Sequence, residues 1–172
     1  AAIDQGVTNA DEVIDCQMGA IYIAGHRIRD HKAYGNLTVS QILAYSSDVG
    51  AIKLGLRLGA PKFYDYIRAF GFGQPTGVDL PGEGRGMLRR IENWTPVSVG
   101  SISMGQEIGV TPLQMTSAVS ALANGGWIIR PHVVRAMRQG TQMTEQPEAP
   151  RRRVIRETTS ATMRRIMEGV VL

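Results

Sequence analysis

Two helix starts constrain the fold of this chain more than any other feature of its sequence. Thr38 is followed three residues later by Gln41, and Thr111 by Gln114, with Pro112 at the first position of the second helix. In such a capping box each side chain satisfies a free backbone N–H group of the other residue, which begins an α-helix. Flanking apolar residues form two hydrophobic staples, Leu37 with Ile42 and Val110 with Met115. The sequence therefore predicts helices from residues 39 and 112.

The apolar periodicity extends this helical prediction. Residues 48–58 are ambiguous, because residues 52–58 alternate with period 2 as a strand does. The stop at Gly59, the start at Pro61 and small residues at Ala51 and Gly55 favour a buried helix. Further helices are predicted over 61–70 and 159–168. The predicted apolar faces are Val39, Ile42, Leu43 and Ser46 in the first helix, and Met115, Ala118, Val119, Leu122 and Ala123 in the helix that ends at Gly125-Gly126.

Short strands complete the predicted fold. A strand pair is expected at 20–23 and 26–28, turned at Ala24-Gly25, with further strand pieces at 127–129, 132–134 and 153–155. Residues 71–109 read as a long Gly/Pro-rich connection without regular structure, and 138–150 as an exposed loop. The fold class is mainly α with minor β, in one unit spanning residues 1–172.

Composition excludes several classes of protein. The chain has 172 residues, of which 43% are hydrophobic, and no apolar run reaches the roughly 18 residues of a membrane span. A single cysteine, Cys16, excludes an internal disulfide and a cysteine-based zinc site. The net charge is +4, but the run at 151–153 has no interleaved aromatic residue, so no nucleic-acid partner is expected.

The other candidate binding motifs are weak. None of the glycine-rich turns is followed by Lys-Ser or Lys-Thr, so turn glycines explain them better than a phosphate loop. His26, Asp30 and His31 could surround a metal with Cys16, but two arginines lie among them and the spacing is not that of a zinc motif. We expect no metal and no cofactor.

Ser46, Ser47 and Asp48 lie where one predicted helix ends and the next begins. Two hydroxyls and a carboxylate at such a junction can simply cap the second helix, which is the simpler interpretation of Ser47 or Asp48 alone. The same side chains could instead belong to a reaction site. The local pattern does not decide between these interpretations.

Four stretches together resemble the transpeptidase domain of class B penicillin-binding proteins, the single-pass wall synthases of bacterial cell division and elongation. They are residues 24–31 (AGHRIRDH), 37–50 (LTVSQILAYSSDVG), 103–115 (SMGQEIGVTPLQM) and 124–131 (NGGWIIRP). Each is weak alone, but they occur in the order found in the family. The resemblance implies that this chain is the helical subdomain of the penicillin-binding and serine β-lactamase-like transpeptidase fold.

The family's chemistry uses a Ser-X-X-Lys nucleophile motif, a Ser-X-Asn motif and a Lys-Thr-Gly strand. Here no serine is followed three residues later by lysine, and no lysine is followed by Thr-Gly. By resemblance, Ser46 is the catalytic proton relay to the leaving D-alanine amine, and Ser47 and Asp48 bind substrate. Asp48 departs from the motif, since an ionised Asp accepts hydrogen bonds but cannot donate one as Asn does. Asp48 could still accept a hydrogen bond from the active-site lysine.

We therefore expect an internal fragment, truncated at both ends, of a D,D-transpeptidase that cross-links peptidoglycan, and we expect the fragment itself to be inactive. The resemblance implies stem peptides, β-lactams and other wall-synthesis or division proteins as partners of the parent. It also implies a periplasmic location, with a membrane anchor outside this chain. Exposed apolar surface predicts self-association of the fragment. Two alternatives stay open: a non-catalytic interaction module, and a fragment of a serine β-lactamase or β-lactam sensor.

Overall fold

A computed structural model describes residues 1–171, which form six α-helices and ten short β-strands. The helices are α1 (Val39–Ala44), α2 (Asp48–Leu58), α3 (Ala60–Ala69), α4 (Ser98–Ser103), α5 (Pro112–Ala123) and α6 (Glu157–Val171). The strands form five separate antiparallel pairs. These are β1 (Val13–Asp15) with β4 (Asn36–Thr38), β2 (Ala20–Ile23) with β3 (His26–Arg29), β5 (Met87–Leu88) with β6 (Ile108–Gly109), β7 (Trp127–Ile129) with β10 (Arg151–Arg153), and β8 (Ala136–Gln139) with β9 (Gln142–Glu145). The fold class is thus mainly helical, as predicted.

Both capping boxes are present and begin α1 and α5. The Thr38 hydroxyl accepts from the Gln41 backbone N–H at 3.1 Å, and the Gln41 side chain accepts from the Thr38 N–H at 2.9 Å. The same reciprocal bonds join Thr111 and Gln114 at 3.1 and 2.9 Å. The predicted strand pair β2–β3 and the helices α2 and α3 are likewise confirmed.

The core is built around α2, where Val49 and Ile52 are fully buried. Helix α4 packs closely against α2 because Gly55 has no side chain: a Cβ there would lie 2.0 Å from the Ser103 hydroxyl. Gly100 on α4 allows Ile23 to approach in the same way, since a Cβ would lie 2.6 Å from its Cδ1. Close helix packing thus explains the small residues that favoured a helix over a strand.

Four predictions about the connections and strands are wrong. Residues 71–109 are not irregular throughout, because they contain β5, α4 and β6. The expected loop at 138–150 instead contributes to the hairpin β8–β9, while residues 132–134 form no strand. The last strand lies at Arg151–Arg153, two residues earlier than expected, because it pairs with Trp127–Ile129.

The predicted face of α5 is also partly wrong. Met115 and Val119 are exposed, whereas Gln114, Ala118 and Ala121 are buried. Gln114 decides the orientation: its side-chain amide donates to the carbonyls of Gln74 at 2.7 Å and Arg85 at 2.9 Å. Buried amide groups must be hydrogen-bonded, so these contacts outweigh the apolar pattern. Across residues 1–171, the structure has no helix with the length and apolar character that crossing a bilayer requires.

Candidate active site

Ser46 lies in a strained turn just beyond the end of α1. Its N–H donates to the Leu43 carbonyl at 3.2 Å, and the Ser47 N–H donates to the Ile42 carbonyl at 3.0 Å. These two bonds form a Schellman motif, which places Ser46 in the left-handed region with a φ of 51°. Glycine usually occupies this position because a side chain there costs about 1 kcal/mol. A serine held in this conformation points to a functional need for its hydroxyl.

The prediction that Ser46 lies on the buried face of α1 is wrong. The helix ends at Ala44, and the reversal of the chain places Ser46 among the exposed residues. Ser46 is instead one of the residues that line an open cleft of about 420 Å³, together with Ser47 and Asp48. Ser46 is therefore neither sealed in the core nor turned away from open space.

The cleft itself is mostly apolar. Its walls come from α1, α2 and α6 and from the end of α4, with the polar residues 46–48 contributed by the junction of α1 and α2. The apolar lining includes Ile42, Leu54, Leu58, Met104 and Ile166. The arrangement gives a row of polar groups beside an apolar trough, as ligand and catalytic clefts commonly have.

Ser47 caps the start of α2. It is 2% exposed, its hydroxyl accepts from the Gly50 N–H at 3.1 Å, and it donates to the Asp30 carboxylate at 2.7 Å. The donor and one acceptor site of the hydroxyl are therefore used within the protein. Substrate binding by Ser47 stays a prediction, and the geometry gives the residue a structural role in holding the turn.

Asp30 is a site residue that the sequence analysis did not assign to this site. Its carboxylate accepts from the Ser47 hydroxyl and, at 2.9 Å, from the Val49 N–H. It thus joins the end of β3 to the first turn of α2. The free N–H groups of this turn interact favourably with a carboxylate. The available signal was its place two residues after the strand predicted at 26–28, within residues 24–31, which resemble the family. Within residues 1–171 no cluster of metal-ligating side chains is present.

An aromatic stack supports the other side of the turn. Tyr34 stacks on Tyr45, the residue before Ser46, with ring centroids 5.8 Å apart. The Tyr34 hydroxyl lies 3.0 Å from Nε2 of His31. Together with the Asp30 cap, this stack restrains both sides of the Ser46 turn, as a strained conformation requires.

Asp48, the first residue of α2, is half-buried and lines the cleft. Burial raises the pKa of its carboxyl above the ordinary value, and the nearby Asp30 carboxylate raises it further, while His31 acts in the opposite direction. Each effect follows from the cost or gain of placing a negative charge there. Ionised Asp48 is an acceptor, suited to a cationic or N–H-bearing group in the cleft.

The Asp48→Asn substitution is expected to raise the free energy of unfolding at neutral pH. A carboxyl with a raised folded-state pKa stabilises the fold only while protonated, and this contribution is lost as pH rises through the folded pKa. The gain from Asn should therefore shrink as pH falls toward about 3, where both side chains are neutral. Urea titrations of the intact protein across this range measure it.

The Asp30→Asn background is the matched control for this prediction. It removes the charge of Asp30 but keeps an oxygen that can accept from the Val49 N–H. The gain from Asp48→Asn should be smaller there, because the charge repulsion is already absent. An equal gain in both backgrounds would contradict the contribution of the Asp30 charge. A gain that does not shrink as pH falls would contradict the raised pKa of Asp48.

The fold of this chain is shared with solved structures of other proteins. The solved structure of penicillin-binding protein 3 from Mycobacterium tuberculosis, complexed with ampicillin, superposes with a TM-score of 0.95 at 34% identity, covering 100% of this chain and 38% of that one. A peptidoglycan synthetase from Bifidobacterium adolescentis superposes with a TM-score of 0.91 at 27% identity, covering 98% and 31%.

The family described as Penicillin binding protein transpeptidase domain matches residues 1–172. This chain belongs to that family. Stage V sporulation protein D of Bacillus subtilis is 36% identical over 99% of this chain and 27% of its own length. Penicillin-binding protein PbpB of Mycobacterium tuberculosis is 34% identical over 99% and 26%. The chain thus spans about a quarter of the length of these relatives.

Proposed function

We propose that this chain supplies the second active-site motif of a serine D,D-transpeptidase that cross-links peptidoglycan stem peptides. The observation that carries the proposal is the Ser46 turn: a strained, non-glycine residue whose hydroxyl-bearing side chain lines an open cleft. The family and its relatives, which include the Peptidoglycan D,D-transpeptidase FtsI of Escherichia coli at 30% identity, support the reaction class.

In this proposal Ser46 moves a proton during acyl transfer. A serine nucleophile on another part of the protein attacks the penultimate D-alanine carbonyl, and the terminal D-alanine leaves as an amine that must gain a proton. A hydroxyl can accept a proton at one lone pair while donating its own, which a relay requires. Ser47 and Asp30 hold the turn, and Asp48 accepts a hydrogen bond from a cationic lysine beside the nucleophile.

We propose that the element that carries the nucleophile packs in the apolar cleft. Its walls are lined by leucine, isoleucine and methionine side chains, and Ala1 to Ile3 lie along it. An apolar helix seated there would bury this surface, and its nucleophile could then face residues 46–48. Without that element the exposed surface supports self-association of the chain alone.

The substrates and setting of the parent form part of the proposal. Solved structures of the Mycobacterium tuberculosis relative are complexes with ampicillin and with aztreonam. We assign β-lactams and stem peptides to the parent protein, other wall-synthesis or division proteins as its partners, and the periplasmic face of the inner membrane as its location. The names of the relatives favour a wall synthase over a β-lactamase or sensor.

A fluorescent penicillin is expected to leave no covalent adduct on this 172-residue chain, because the sequence has no serine followed three residues later by lysine. The intact parent should be labelled under the same conditions. Denaturing gel fluorescence and intact-mass measurement give the result. An adduct on any serine of the chain would contradict the inactive assignment, and an unlabelled parent would favour a non-catalytic interaction module.

A further inference from the structure

The basic charge of this protein is concentrated in one segment. Residues 130–156 contain seven arginines and two glutamates, while the rest of the chain has twelve basic and thirteen acidic side chains. Within residues 1–171, Arg156 is the only one of these arginines in a salt bridge, with Asp4. An excess of cations in one segment attracts an acidic partner and disfavours a basic one.

Part of this charge is held in place by an aromatic ring. The guanidinium groups of Arg151 and Arg153 lie over the ring of Trp127, at 5.1 and 4.5 Å from its centroid. Such cation–π contacts restrict both arginine side chains, so less entropy is lost when an anion binds. A pocket of about 380 Å³ at the base of the hairpin β8–β9 is lined by Arg135 and Arg151, and also by Glu145 and Glu148.

The hairpin β8–β9 is an isolated two-stranded ribbon. All of β9 and most of β8 are exposed, including Met137 and Met143 at 60% and 67%. No other strand of residues 1–171 pairs with either of its edges. A ribbon of two strands is marginally stable in water, and a third strand adds hydrogen bonds and covers apolar side chains.

The hydrogen-bond register identifies the free groups of each edge. The Gln146 N–H donates to the Arg135 carbonyl at 2.9 Å, so Arg135 faces β9. Because antiparallel residues alternate, the backbone groups of Ala136 and Arg138 face outward on β8. Strand β8 contains Arg138 and is preceded by Arg135, whereas strand β9 ends with Glu145. Charge therefore distinguishes the two edges.

We propose that the outer edge of β8 docks an extended acidic segment of a partner protein, which adds as a third strand and places its carboxylates against Arg135, Arg138 and Arg151. The backbone of Ala136 and Arg138 supplies the main-chain hydrogen bonds. Exposed Met137 supplies apolar contact. The binding is independent of the Ser46 site and of the acyl-transfer reaction.

The probe is a blocked heptapeptide of alternating glutamate and valine, compared with its lysine–valine counterpart, on the intact protein. The acidic peptide should bind, and the basic peptide should bind at least about tenfold more weakly. Hydrogen exchange should show protection of the outward amides of β8. Equal binding of both peptides, or binding without protection of β8, would overturn the proposal.

Proline variants separate the two edges. Ala136→Pro removes an outward N–H from β8, and Met143→Pro removes an outward N–H from β9, while both leave the inward ladder intact. Only Ala136→Pro should weaken binding of the acidic peptide, by about tenfold. Arg138→Gln keeps the backbone and should weaken binding severalfold, so the proposal does not depend on a proline variant that folds.

Anionic phospholipid vesicles provide the competing outcome. Vesicles of phosphatidylglycerol should bind the intact protein and its Arg138→Gln variant equally. Any vesicle binding should come from a membrane anchor and not from Arg138. Loss of vesicle binding in Arg138→Gln, together with no binding of the acidic peptide, would assign the arginines to a lipid surface and reject the protein partner.

Discussion

Replacing Ser46 with alanine in the intact protein is expected to slow acylation by penicillin about 100-fold or more. Proton transfer by a positioned side chain contributes factors of about 10²–10⁴ to such reactions. Alanine has no hydroxyl to accept or donate a proton, and it can keep the same turn. The free energy of unfolding should therefore change little. Stopped-flow acylation with a fluorescent penicillin, together with urea unfolding, measures both quantities.

Ser46→Gly is the matched control, because it removes the same hydroxyl and also relieves the backbone. The φ of 51° at this position is one that glycine adopts without a steric penalty. The glycine variant should lose as much acylation rate as the alanine variant but gain about 1 kcal/mol in unfolding free energy. Such a combination of greater stability and lower activity is expected where strain serves function.

Two results would reject the role of Ser46. Wild-type acylation in Ser46→Ala would show that the hydroxyl takes no part in the reaction. A glycine variant less stable than the alanine variant would show that the turn is not strained. The rate and stability readouts are independent, so the proton transfer by Ser46 and the strain of its turn can each be rejected alone.

The parts of the fold that the sequence predicted correctly depend on local interactions. Both capping boxes join residues three positions apart, and the turn at Ala24-Gly25 closes the β2–β3 pair. Such contacts are encoded within a few residues and need no knowledge of the tertiary structure. The helix predicted over residues 48–58 is also present as α2, and Ser47, one of the two residues for which capping was the simpler interpretation, caps its start.

Several of the parts that were wrong depend on distant partners, although the missed hairpin β8–β9 is local. Helix α4 has no side-chain cap and only six residues, and its position rests on close contact with α2 at Gly55 and with Ile23 of β2 at Gly100. The orientation of α5 depends on carbonyl groups 40 and 29 residues away from Gln114. A periodicity of apolar residues contains no information about either contact.

The candidate site divides in the same way. Family motifs located Ser46 and Asp48, but the left-handed turn of Ser46 and the cap from Asp30 became visible only in three dimensions. Asp30 lies 17 residues before Ser47, on the other side of β4 and α1. Its role depends on β3 ending beside the first turn of α2, which is a tertiary property.

Gly126→Ala is expected to destabilise the transpeptidase domain by about 3 kcal/mol, the largest stability effect that we expect for a single added methyl group here. Gly126 has a φ of 96°, and a Cβ would lie 2.2 Å from the backbone oxygen of Ile155. A backbone atom cannot move aside as a flexible side chain can. The Gly126 carbonyl also accepts from the Val154 N–H at 2.8 Å, so a shift would disturb the approach to α6.

Gly125→Ala is the control at the adjacent position. Gly125 has a similar φ of 85°, but a Cβ there would meet only the Glu157 Cγ, at 4.0 Å. It should cost only the backbone penalty of about 1 kcal/mol. The difference between the two variants in urea unfolding therefore isolates the clash with Ile155. Since α6 provides Ile166 to the cleft beside Ser46, Gly126→Ala should also slow acylation. Equal free energies of unfolding for the two variants would contradict the prediction, because they would show that the chain after β10 does not approach Gly126 so closely.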